Sequence, residues 1–187
     1  MRSAFKEWAV IVDALGRGDQ ILILRKGGIS EGRDGFQMER REFLLFPTLF
    51  HQQREAVLPA AQKRFDEIAP HFPSPEILQL KYFARIIEWR NLVSLEEAKR
   101  LRGQHFWREE VIAERFYWGK DKNIFALAVR VFRLAQMVEL PLLPGYGGCK
   151  SWIELDADIA TKDAQPVLDE KSFAEKLLKF QGALSLT

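Results

Sequence analysis

Cysteine, histidine and long apolar runs are all scarce in this chain, and each scarcity removes a class of protein. Cys149 is the single cysteine among 187 residues, which excludes an internal disulfide and a multi-cysteine zinc site and suits a reducing, cytoplasmic setting. The histidines His51, His71 and His105 have no partners at metal-ligand spacing, so no metal centre is expected. No apolar run approaches the roughly 18 residues of a membrane span. Lys6, Glu7 and Asp13 break the N-terminal stretch where a signal-peptide core would sit, so no membrane partner is expected. An excess of one charge sign is missing too. Twenty-eight Lys and Arg against 26 Asp and Glu leave +2, and only the local placement of bases can argue for nucleic acid. A GxxxxGK[ST] loop and a GxGxxG fingerprint are also absent, and no cofactor is expected.

What is present is an ordinary globular composition, 47% hydrophobic and 29% charged, with strands and helices interleaved without regular βαβ spacing. That pattern predicts an α+β fold, a small mixed or barrel-like sheet with several flanking helices. Residues 1–155 read as one domain, and 156–187 as an irregular segment with a C-terminal helix packing on it. The spacing of Phe5, Trp8, Ala9, Val12 and Leu15 predicts a first helix over about Ala4 to Leu15. Gln20 to Lys26 reads as a buried strand with Glu42 to Phe46 as its partner. A helix should begin near Pro59. Ile77 to Asn91 fits strand by alternation, with Leu78, Leu80, Tyr82, Ala84 and Ile86 on one face, although a helix is not excluded. Ser94 and Glu97 form a capping box. Ile124 to Leu134 is the clearest strand, with Arg130 outward.

The loop between the first two strands carries Gly27, Gly28, Gly32 and Gly35 among Arg25, Lys26, Arg33, Arg40 and Arg41. Paired glycines expose consecutive N–H groups and arginine supplies forked donors, so Arg25, Lys26, Gly27 and Gly28 are candidates to cradle phosphate, with Arg33, Arg40 and Arg41 adding charge. A mobile surface loop with solvated bases is the equal alternative. Trp152 is a candidate base or sugar contact. On the strand face Lys81, Phe83, Arg85, Ile87 and Trp89, bases interleave with aromatics, as stacking on nucleic acid requires, although packing under a helix explains Phe83 and Ile87 as well. An enzyme acting on a phosphate-bearing substrate would use His51 with Glu31 or Glu42, provided they converge. A protein-interaction module exposing Trp107 and Trp118 is a third class.

The segments FKEWAVIVDALGRG, QILILRKGGISEG, FLLFPTLFHQQ and GGCKSWIEL resemble a prokaryotic family known as domain of unknown function 1802, over about Phe5 to Leu155. The resemblance implies a role near DNA restriction or modification, with a restriction endonuclease as partner. More remotely, Gly18 to Arg25 is similar to the G-x-K-T-x-E-x-R run of the ASCH group within the PUA-like superfamily. Glycine and arginine match, while Gln20, Ile21 and Ile23 replace the lysine, threonine and glutamate. That likeness implies a PUA-like barrel binding RNA or modified DNA, and puts in doubt any ribonuclease chemistry that depends on the lost lysine and glutamate.

Overall fold

The computed structural model describes residues 1–26, 31–32, 35–36, 41–148 and 150–185, with the backbone alone at 31–32 and 35–36. Its strands are β1 (Ser3–Trp8), β2 (Leu22–Arg25), β3 (Glu31–Gly32), β4 (Gly35–Phe36), β5 (Glu42–Thr48), β6 (Ile77–Leu92), β7 (Ile124–Pro141), β8 (Trp152–Glu154) and β9 (Gln165–Pro166). The helices are α1 (Ala9–Gly16), α2 (Gln52–Glu55), α3 (Pro59–Ile68), α4 (Leu95–Lys99), α5 (Glu109–Tyr117) and α6 (Glu170–Leu184). A curled half-barrel runs β2-β7-β6-β5-β1-β8, with β9 joined to β7 and the β3–β4 pair separate. β1 and β5 are parallel and the other described pairings of the sheet are antiparallel. This is the mixed-sheet α+β architecture that the sequence pattern predicts.

The structure departs from several local expectations. First, the opening five residues of the expected N-terminal helix, Ala4 to Trp8, are strand: β1 lies between β5 and β8, and its two faces are both covered. Phe5 enters one core cluster and Ala4 the other, as do Phe43 and Leu45 against Leu44 and Phe46 across the ladder. Burial on both faces erases the alternation that would mark a strand, and the accidental helical spacing then dominates. Second, β2 and β5 are not partners. β7 and β6 stand between them, because β2 pairs with β7 and β5 with β1 and β6.

The long strands β6 and β7 build most of the ladder. A register shift between Leu80 and Tyr82 moves the even positions from one side of the sheet to the other. Leu78 and Leu80 therefore pack in the second cluster while Tyr82, Ala84 and Ile86 pack in the first, where the sequence reading placed all five together. Phe83 stacks on Phe132 at 4.7 Å and 8°. Arg130, expected outward, is 8% exposed. Its guanidinium lies 4.7 Å over Phe173 and forks onto Glu170 at 2.8 and 3.0 Å, so α6 covers it. Phe173 and Phe180 carry α6 into the main core. α3 starts at Pro59, whose missing N–H is no loss at a helix start, and Ser94 caps α4 with Glu97 in the full reciprocal box.

Candidate functional site

The C-terminal ends of β1, β2 and β5 sit close to the segment after β7, and they enclose a cleft of about 520 Å³. β1 supplies Lys6, Glu7 and Trp8, β2 supplies Arg25, and β5 with its extension supplies Phe46, Thr48 and Phe50. Leu142 to Pro144, Tyr146 to Gly148 and Lys150 form the opposite wall. The second glycine loop closes against β1 through Lys6, whose Nζ donates to the Gly148 carbonyl at 3.1 Å. Gly148 itself has φ +72°, a conformation that side-chain-bearing residues rarely adopt.

A buried carboxylate lies at the floor. Glu7 is 1% exposed; its Oε1 accepts from the Trp8 N–H at 2.7 Å, while Oε2 has no hydrogen-bond partner among the described residues. Leaving a buried acceptor unmet costs about 1–3 kcal/mol, more for a charged one. Arg25 Nη1 stands 4.0 Å from Oε2, near enough for attraction and too far for a hydrogen bond. The Arg25 guanidinium is held by Nη2 donating to Ser151 Oγ at 2.5 Å and by the Phe5 ring 4.9 Å beneath it. Thr48 Oγ1 donates to the Glu7 carbonyl at 3.2 Å and fixes the neighbouring strand end.

Behind Trp8 sits a second guanidinium. Arg115 lies 4.9 Å over the Trp8 ring and 5.1 Å over Trp107, and donates to the Leu24 carbonyl at 2.7 Å. Burial pushes its pKa down to about 10, with Arg25 adding repulsion and Glu7 opposing the shift. The cleft therefore has an aromatic wall backed by charge, one acid at its floor, and Arg25, Lys6 and Lys150 around it.

The residues singled out in the sequence distribute unevenly around this cleft. Arg25 lines it. Lys26 points elsewhere: its ammonium is enclosed by the carbonyls of Phe116, Asp121 and Asn123 and by Asn123 Oδ1, closing the C-terminal end of α5. Gly27, Gly28, Arg33 and Arg40 lie outside the described residues, as does the side chain of Glu31. Arg41 is exposed at the start of β5. Trp152 packs edge-on against Phe5 at 4.9 Å and Phe43 at 5.1 Å, which makes it part of the sheet's packing. Glu42 opens β5 and pairs with Arg85 at 2.6 Å, whereas His51 follows the far end of that strand and precedes α2. About 20 Å of extended chain separates Glu42 from that far end, so this pair does not converge. Among the described residues no cluster of His, Cys, Asp and Glu fit to hold a metal occurs, and no helix is long and apolar enough to cross a membrane.

Sequence reasoning missed Glu7, Trp8 and Thr48 as site residues. The available signal was Glu7 itself, an acid placed directly before the apolar run from Trp8 to Val12. A second hollow, about 300 Å³ near α1 and α3, is lined by Asp13, Arg64, Glu67 and His71. There Arg64 is already spent on Asp13 at 2.8 and 2.9 Å and on Glu67 at 2.7 Å.

The family model described as Domain of unknown function (DUF1802) matches residues 4–178, and the chain belongs to that family. The match extends beyond Leu155 and takes in much of α6. Among solved structures the chain is similar to the ASCH protein of Zymomonas mobilis, at 13% identity and TM-score 0.43 over 94% of this chain and 92% of that one. It is likewise similar to a point mutant of the Zymomonas mobilis protein, at 11% identity and TM-score 0.45 over 94% and 95%. No curated protein matches the chain.

Proposed function

We propose that this protein binds nucleic acid, RNA or DNA, in single-stranded or locally unpaired form, through the cleft at the ends of β1, β2 and β5. The observation that carries the reading is the composition of that cleft: Arg25, Lys6 and Lys150 beside Trp8 and the 62% exposed Phe50, in a concavity of about 520 Å³. Bases near partly exposed aromatics suit a strand that offers phosphates and base faces together. The loop after β2, with its arginines, leaves the same strand end that places Arg25. A role beside DNA restriction or modification, with an endonuclease partner, is the cellular setting the family resemblance suggests, and methylated DNA is the ligand that checks it.

The test is binding of short RNA and of plain and methylated DNA, single-stranded and duplex, across a salt series. For single strands the logarithm of affinity should fall with log salt at a slope of about −0.7 per neutralised phosphate. Lys150→Ala should flatten that slope by about 0.7. Arg25→Ala should weaken binding to single strands most. Absence of salt-sensitive binding to any of these ligands, or affinity unchanged in both variants, overturns the assignment.

A further inference from the structure

We propose that Glu7 and Arg25 together read the hydrogen-bonding edge of one unpaired nucleobase, so that the floor of the cleft takes a base while phosphates remain at its rim. This rests on the nucleic-acid reading above and specifies what enters the site. The carboxylate is oriented before any ligand arrives, because Oε1 is fixed by the Trp8 amide and the residue is almost wholly enclosed. Oε2 is left as a buried acceptor without a donor among the described residues. Arg25 Nη1 stands 4.0 Å away, so an acceptor and a donor lie side by side.

A phosphate would be repelled by that carboxylate. A nucleobase edge is complementary to the pair: an amino or imino N–H goes to Oε2, and the adjacent ring nitrogen or carbonyl accepts from the guanidinium. The cavity, about 520 Å³, falls within the range of small-molecule sites. Trp8, held from behind by Arg115, and the exposed Phe50 offer faces on which such a base could stack. A base already paired in a duplex has its edge occupied, which confines the ligand to single strands, loops or extruded nucleotides.

Three short oligonucleotides of identical charge separate the outcomes. One is abasic throughout, one carries a single cytosine, and one carries a cytosine whose amino group bears two methyls and has no N–H to give. With the wild-type protein, the cytosine strand should bind about 10-fold more tightly than the abasic strand, and the dimethylated base should lose that gain. Glu7→Gln, checked for folding by thermal unfolding, should shrink the cytosine advantage while leaving the salt slope intact. Equal binding of cytosine and its dimethyl form overturns the proposal, as does equal salt-sensitive binding of all three, and in both cases the nucleic-acid reading stands. If none of the three binds and the longer RNA and DNA ligands do not bind either, the reading and the proposal fall together.

Discussion

Glu7 Oε2 faces Arg25 Nη1 across 4.0 Å, an attraction without a hydrogen bond, at the floor of a cleft bounded by three strand ends. Glu7 comes from β1 and Arg25 from β2, strands at distant positions in the sheet order, so only its curl brings them together. Such a gap can admit a ligand group between two charges that would otherwise close on each other.

Arg25 acts through its shape as well as its charge. It meets Ser151, Phe5 and the Glu7 carboxylate through a planar fork that lysine does not have. Arg25→Lys is therefore expected to lower single-strand affinity by about as much as Arg25→Ala, roughly 10-fold. Binding measured at fixed salt decides this, and full retention in the lysine variant would reduce Arg25 to a simple point charge.

Gly16 ends α1 directly against Tyr82 of β6, where a Cβ would run into the phenol ring. Gly16→Ala should destabilise the fold by about 1–3 kcal/mol. The collision can be isolated by a double-mutant cycle with Tyr82→Leu in denaturant unfolding. The alanine should cost much less when the ring is absent; an equal cost in both backgrounds would show that the methyl does not meet Tyr82.

His105 is 6% exposed, and its Nδ1 meets no partner within hydrogen-bond geometry among the described residues. Burial first, and then Arg115, pushes its pKa down from 6.5 to about 4. The folded state thus resists a proton that the unfolded chain accepts, so stability is intact above about 6.5 and falls as pH drops toward 4. The loss across that window is on the order of 3 kcal/mol. In His105→Phe this contribution disappears, and its unfolding free energy should decline less steeply than wild type between these pH values. Parallel slopes would contradict the assignment.

Ser94 and Glu97 close the N-terminus of α4 reciprocally. Ser94→Ala should cost about 1 kcal/mol, measurable by urea unfolding.

Much of the framework could be read from the residues: the alternation of β6, the start of α3 at Pro59 and the capping box of α4 are local patterns, and local physics decides them. β1 was hidden because a strand covered on both faces carries no alternation, and Phe5, Trp8 and Val12 happened to fall at helical intervals. Pairing of β2 with β7 is non-local, which no spacing within β2 can reveal. The site was half legible. Arg25 stood out beside the glycines, but Lys26, its neighbour and chemical equal in the text, turns to close α5. Trp152 looked available and is packed on Phe5 and Phe43. Glu7 was overlooked because its meaning depends on burial, which appears only when the sheet has curled.

The most direct measurement is photocrosslinking of a short single strand carrying one thiolated base, followed by mass spectrometric mapping of the modified residues. The account predicts crosslinks at Trp8, Phe50 or Tyr146, lost in the presence of excess unmodified strand and diminished in Arg25→Ala. Crosslinks confined to surfaces away from the cleft, with salt-sensitive binding intact, would contradict it.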